Sequence, residues 1–218
     1  MSDIFQEVDE DVRRDKAAEF WKKYQSLVIG AAVLLVIATA GWRFHQNRQV
    51  AAEQTAGAAF QQALALDHDG KGAEADAALG KLVAEAPHGY QALARLAQAA
   101  IRSKTDAKGA IAAYDAIAAD ASMSPTFQQA ALLRAALLRL DAGETDAAKS
   151  ALGALAASDS VYRHTARLTL GVVALNAGDY AAAGKSLDLV VADPEAPDAE
   201  KRSAESLLGL VASNRPAK

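Results

Sequence analysis

The most restrictive feature of the chain is an uncharged apolar run over residues 24–42. It extends from Tyr24 to Trp42 without a single Asp, Glu, Lys or Arg. At roughly 1.5 Å per residue, a helix of this length measures about 28 Å, close to the roughly 30 Å hydrocarbon core of a bilayer. Tyr24, Trp42 and the following Arg43 stand at its ends, where membrane helices carry interfacial anchors. The run therefore predicts a transmembrane helix over 24–42, surrounded by a lipid bilayer.

A secretory signal peptide is the alternative, because Ala38-Thr39-Ala40 has the small-x-small form of a signal-peptidase site. The segment ahead of the run is nevertheless long and contains seven acidic residues, whereas a secretory n-region is short and positive. The apolar run is also longer than an ordinary signal core. These observations favour an uncleaved anchor. Cleavage after Ala40 would instead produce a secreted adaptor.

The basic residues on the two sides of the run predict its orientation. Those ahead of it are Arg13, Arg14, Lys16, Lys22 and Lys23, and those in the stretch after it are Arg43 and Arg48. Because Lys and Arg are enriched on the cytoplasmic side, residues 1–23 are predicted to form a cytoplasmic tail. The remainder then lies outside, which in a bacterium is the periplasm. The predicted location is the bacterial inner membrane, crossed once.

The composition favours helices and excludes several classes of function. Alanine accounts for 55 of the 218 residues, and alanine is the strongest helix former and a weak strand former. The net charge of −4 offers no basic face for nucleic acid, so no nucleic-acid partner is expected. The chain has no cysteine and therefore no disulfide, thiol nucleophile or cysteine-based zinc site. The prediction is an all-α protein.

A repeat of about 35 residues follows the apolar run. Its turn positions, Gly70, Thr105, Gly143 and Gly178, are 35, 38 and 35 residues apart. After each turn comes a small residue (Ala75, Ala110, Ala148, Ala183) and then a larger one (Leu79, Tyr114, Leu152, Leu187). The alanine permits close approach of two helices, and the larger residue fills the remaining space. This pattern resembles the tetratricopeptide repeat (TPR) and predicts an α-solenoid of about four helical hairpins over 43–212.

The turn residues and prolines between the apolar stretches predict the ends of the helices. One helix continues from the membrane to about Leu66, and Ser160 is expected to cap a later one with its hydroxyl. The remaining helices are predicted at 72–86, 89–102, 107–120, 125–141, 145–157, 160–176, 180–192 and 197–212. Residues 213–218 are predicted to be a frayed tail.

No catalytic set is apparent, so a binding function without enzymatic activity or a cofactor is expected. The four histidines lack metal-ligand spacing. In a stack of this kind the first helix of each hairpin lines the concave side. Arg95, Arg102 and Arg134 are therefore candidates for a basic lane that binds a partner beside Leu133 and Leu137. The alternative is that these leucines are core residues, covered at their edges by the arginine stems.

The whole arrangement resembles the ancillary subunits of the SecYEG translocon, which are single-span inner-membrane proteins with a periplasmic TPR-like domain. The resemblance is carried by Gly41-Trp42-Arg43-Phe44, Ala58-Ala59-Phe60-Gln61-Gln62-Ala63 and Tyr90-Gln91-Ala92-Leu93-Ala94-Arg95-Leu96-Ala97. It implies association with the SecYEG translocon and with a membrane-anchored periplasmic chaperone of the prolyl-isomerase type. A general scaffold for envelope assembly is the alternative function. Self-association is also possible for a repeat stack.

Overall fold

The structure, a computed structural model, describes the backbone of residues 3–214 and the side chains of 21–27 and 29–214. Over this range it contains nine α-helices and no strand, which confirms the predicted all-α class. The helices are α1 Asp3–His68, α2 Gly72–Glu85, α3 His88–Arg102, α4 Ala107–Ala118, α5 Pro125–Asp141, α6 Thr145–Ala157, α7 Arg163–Asn176, α8 Tyr180–Val191 and α9 Asp198–Asn214. The chain forms two compact units, Met1–Thr55 and Ala56–Lys218, and the predicted repeat lies mostly in the second.

Most helix ends fall within two residues of their predicted positions. Helices α5 and α6 begin and end where the sequence predicts, since Pro125 suits a first helical turn and Gly143 suits the turn between them. Helix α9 extends to Asn214, so Ser213 and Asn214 are helical instead of belonging to a frayed tail. The rest of that predicted tail, residues 215–218, lies outside the described residues.

The start of α7 differs from the prediction. The helix begins at Arg163 and not at residue 160. The Ser160 hydroxyl accepts a hydrogen bond from the Tyr162 backbone N–H at 3.1 Å and donates one to Oε1 of Gln129 at 2.9 Å. Ser160 is thus committed to a short turn and to a contact with α5, which prevents it from capping the first turn of α7.

The repeat positions meet in the core of the second unit. The four alanines after the turns are completely buried, and their larger partners are at most 3% exposed. Each hairpin also packs against the first helix of the next one. Ala99 of α3, for example, shares a core cluster with Tyr114 of α4 and Ala135 of α5. Such nearest-neighbour packing is the architecture of a solenoid, and the predicted TPR-like fold is confirmed.

Three of the four turn positions adopt the same backbone conformation. Gly70, Gly143 and Gly178 have φ values of +79°, +79° and +73°, the left-handed region that glycine enters at little cost. At Gly178 the next residue, Asp179, donates its N–H to the Ala174 carbonyl, which closes a Schellman motif. Thr105 makes a different turn, because no described residue other than glycine has a positive φ. The turn at Thr105 is closed by a hydrogen bond from the Asp106 N–H to the Arg102 carbonyl, which spans four residues instead of five.

Candidate functional site

The second unit contains a concave groove of about 800 Å³. Its apolar wall includes Phe60 of α1, Leu93 and Leu96 of α3, Leu133 and Leu137 of α5, and Tyr162 just before α7. Helices α1, α3, α5 and α7 are the first helices of the successive hairpins, and the sequence predicted that they line the concave side. Leu93 is 36% exposed, so apolar surface in this groove is open to a ligand. This surface is called the concave groove.

Helix periodicity places the lining side chains on one face of each helix. On α5 the lining residues are Ala130, Leu133, Arg134, Leu137, Leu138 and Asp141, which recur at intervals of three and four. This spacing forms a continuous stripe along an α-helix. Leu133 faces both ways, since it lines the groove and also packs in the core beneath it at 8% exposure. The stripe therefore exposes an apolar strip with Arg134 within it and Asp141 at its end.

Tyr114 of α4 lies at the floor of the concave groove, although the sequence predicted lining residues on first helices only. Its ring is 3% exposed, and its hydroxyl donates a long hydrogen bond, 3.5 Å, to the Leu96 carbonyl. Burial raises the pKa of the Tyr114 hydroxyl, and the positive charge of Arg134 offsets part of that increase. Arg134 is thus close enough to act on the groove floor. The repeat pattern identified Tyr114 as the larger residue after a turn, and this predicted a core position and not a groove position.

The three arginines predicted to form a basic lane do not lie together. Only Arg134 lines the concave groove. Arg95 forms an ion pair with Asp120 at 2.6 Å, which ties α3 to the turn after α4. Arg102 lines a separate groove of about 540 Å³ between the turns at Gly70 and Thr105, beside Lys104. The two leucines of the predicted set, Leu133 and Leu137, do lie in the concave groove with Arg134.

An ion cluster around Asp193 was not anticipated from the sequence. Arg163 and Arg167 of α7 approach Oδ2 of Asp193 at 3.4 and 3.0 Å, and His164 Nε2 donates to the same oxygen at 2.9 Å. The hydrogen bond from His164, the N–H of Glu195 and the two guanidinium groups keep the pKa of the Asp193 carboxyl well below its usual range. Asp193 lies about 30 residues from its partners on α7, so no short sequence motif indicates the cluster. The cluster fixes α7 against the turn that leads into α9.

The predicted membrane anchors lie in the first unit. The Lys23 ammonium is 5.5 Å from the Tyr24 ring centroid, and the Arg48 guanidinium is 5.0 Å from that of Phe44. Trp42 is 73% exposed. Most of the large apolar side chains between Tyr24 and Trp42 are also more than half exposed. The helix contains a segment within Trp21–His68 that is long and apolar enough to cross a membrane. None of the described side chains in the apolar window of that segment is buried.

The described residues offer no obvious centre for metal chemistry. Within them, no group of three or more His, Asp or Glu side chains is arranged to hold a metal ion. His164 is the buried histidine of this region, and it is already hydrogen-bonded to Asp193.

Comparison with known families agrees with this architecture. The family model for the tetratricopeptide repeat-like domain matches residues 18–159, and the chain belongs to that family. Domains of this class are typically non-enzymatic interaction scaffolds. The match ends before α7, whereas the helical hairpins continue through α8 and are closed by α9. No curated protein and no solved structure matches the chain.

Proposed function

We propose that the chain is a membrane-anchored, non-enzymatic scaffold that binds other polypeptides in the concave groove. The observation that carries the proposal is the groove itself. It offers a strip of apolar side chains, from Phe60 and Leu93 to Leu137, on the first helices of successive hairpins. A concave apolar surface with few polar groups is the usual form of a binding site. Rigid helices on both sides keep the surface preformed.

The anchor in this proposal is residues 24–42 of α1. Five basic residues ahead of the run against two after it support a cytoplasmic N-terminus. The second unit then faces the periplasm of a bacterium. Tethering restricts the scaffold to the membrane surface and raises its effective concentration for partners held there. Weak contacts in the groove are sufficient under that condition.

The proposed partners are the SecYEG translocon and a membrane-anchored periplasmic chaperone of the prolyl-isomerase type. Support comes from the resemblance carried by residues 41–44, 58–63 and 90–97. A scaffold beside the translocon would hold emerging chains close to the chaperone that receives them. The groove suits such transient clients because its apolar strip is open to solvent.

Site-specific photocrosslinking in native membranes tests this function. A photoreactive residue is placed at Leu93 or Leu137 in the groove, and at Lys149 on the exposed face of α6 as a matched control. We expect translocon subunits, the chaperone or exported chains to crosslink from the groove positions and not from Lys149. Capture of envelope-assembly proteins alone would favour the general envelope scaffold. A mature N-terminus directly after Ala40 would favour the secreted adaptor.

A further inference from the structure

The concave groove contains a positive charge that the protein leaves unpaired. Arg134 is exposed, and it forms no ion pair with any described residue. Four other arginines of the second unit are each bound to a carboxylate. These are Arg95 with Asp120, Arg139 with Asp115, and Arg163 and Arg167 with Asp193. Arg102 and Arg202 are also exposed and form no ion pair with a described residue, but of these three arginines only Arg134 lines the concave groove.

Helix geometry explains why Arg134 stays unpaired. Residues three and four positions away are neighbours on a helix surface. On α5 these are Ala130, Ala131, Leu137 and Leu138, and none of them is acidic. The carboxylate of the same stripe, Asp141, is seven residues farther along, about 10 Å along the helix axis. That separation is too great for an ion pair between the two side chains.

Asp141 is the second unpaired charge of the concave groove. It is exposed at the last residue of α5 and forms no ion pair within residues 21–214. The carboxyl end of a helix carries a partial negative charge, which adds to the attraction of a cation there. Between Arg134 and Asp141 the wall is apolar, formed by Leu137 and Leu138. The groove thus has opposite charges at a fixed distance, with apolar surface between them.

We infer that the concave groove binds a polypeptide segment with a carboxylate and a basic side chain about 10 Å apart, separated by apolar residues. This inference rests on the proposed function. Arg134 takes the carboxylate, Asp141 takes the cation, and the leucines of α5 take the apolar side chains between them. The spacing corresponds to seven residues in a helical ligand and to three in an extended one. Tyr114 at the floor limits how deeply the carboxylate enters.

Charge complementarity selects the ligand more than apolar contact does. Apolar contact alone accepts any hydrophobic segment, whereas an uncompensated charge beside Arg134 or Asp141 repels a ligand of the wrong sign. A segment with two acidic groups therefore satisfies Arg134 but is repelled by Asp141. A segment with two basic groups meets the opposite penalty. The ligand of mixed charge satisfies both residues in either chain direction.

Fluorescence anisotropy with matched peptides tests the inference. The full chain is held in phosphatidylcholine nanodiscs, with empty nanodiscs as the blank. Labelled peptides with one leucine-rich sequence carry Glu and Lys, two Glu, two Lys or two Gln at the charged positions. One series separates these positions by seven residues and the other by three. In one series we expect the Glu-Lys peptide to bind about tenfold more tightly than the Gln peptide at low salt.

Two single substitutions reverse the charge preference in opposite directions. Arg134→Glu leaves two acidic groups in the groove, so we expect it to prefer the peptide with two Lys. Asp141→Lys leaves two basic groups and is expected to prefer the peptide with two Glu. Arg102→Glu is the matched control, because Arg102 lines the other groove. This control is expected to retain the preference of the unmodified protein.

The outcomes separate the inference from the proposed function. Equal binding of the Glu-Lys and Gln peptides, unchanged by Arg134→Glu, would overturn the charge inference and leave an apolar peptide groove. Failure of every peptide to bind would overturn both. A circular dichroism spectrum identical to that of the unmodified protein shows that each variant is folded.

Discussion

Gly171 of α7 lies directly against Leu187 of α8, which is completely buried. A Cβ added to Gly171 would be 2.7 Å from both Cγ and Cδ2 of Leu187. No ordinary Cβ contact is that short, so a methyl group can enter only if the Leu187 side chain or the two helices shift. The contact sets how closely the last hairpin closes. The groove depends on α7 as one of its lining helices, so packing here also affects the site.

We therefore expect Gly171→Ala to lower the free energy of unfolding by about 1–3 kcal/mol, the usual cost of overpacking. Urea unfolding of the full chain in micelles, followed by circular dichroism, measures the change. Gly153→Ala on α6 is the matched control, since nothing lies within 4 Å of its added Cβ. That substitution should stabilise the helix by up to about 1 kcal/mol. Equal effects of the two substitutions would contradict the importance of the Leu187 contact.

The conformation of Gly178 supports a second prediction. With φ at +73°, alanine at this position is placed in the left-handed region, at a cost of about 1–2 kcal/mol. Thr105→Ala, at the equivalent position of an earlier repeat, should be nearly neutral because that turn has no positive φ. Thermal unfolding of both variants gives the comparison. A neutral Gly178→Ala substitution would show that the turn relaxes into another conformation.

These residues also show what could be read from the sequence. The turn glycines and the buried alanines were predictable, because backbone conformation and close helix approach restrict residue type locally. The variation between repeats at one position, alanine in one copy and glycine in another, has a structural reason as well. Ala136 is 35 residues before Gly171, and it is buried in the same core cluster as Leu152. That hairpin accommodates a methyl group where the last one does not.

The side-chain pairings of the site were less predictable. Arg95 and Arg134 both lie on first helices, yet one is bound to Asp120 and the other faces the groove. Packing sets the rotation of each helix about its axis, and this rotation determines whether an arginine faces a carboxylate or the groove. The Asp193 cluster joins residues almost one repeat apart, and no local spacing indicates such a contact. The fold class followed from the sequence, whereas the electrostatics of the surface required coordinates.

Acid should destabilise the second unit through two carboxylates. Hydrogen bonds from Ser122 and Arg95 lower the pKa of Asp120 to about 2, and the pKa of Asp193 is also lowered, first through His164. A carboxyl whose folded pKa is below its unfolded value of about 3.9 stabilises the fold above that value. The contribution is lost as the pH falls towards the folded pKa. We therefore expect the free energy of unfolding to decrease from about pH 5 to pH 2.

Asp193→Asn isolates one part of this pH dependence. The amide cannot ionise, so the variant is expected to be less stable at pH 7 and to lose less stability on acidification. Glu205→Gln on the exposed face of α9 is a control that forms no ion pair with a described residue. Urea unfolding at pH 7, 5, 4 and 3 measures the slopes. A variant with the same slope as the unmodified protein would exclude Asp193 as a cause.

The absence of cysteine makes the membrane orientation directly testable. Ser2→Cys and Ser206→Cys each introduce one thiol, on opposite sides of residues 24–42. Because five basic residues precede this run and two follow it, we expect Ser206→Cys to react in intact cells with a thiol reagent that does not cross the inner membrane. Ser2→Cys should react only after the membrane is disrupted. The chain should also stay in the membrane pellet after alkaline carbonate. Labelling of Ser2→Cys alone in intact cells would reverse the orientation, and release by carbonate would remove the anchor from the proposed function.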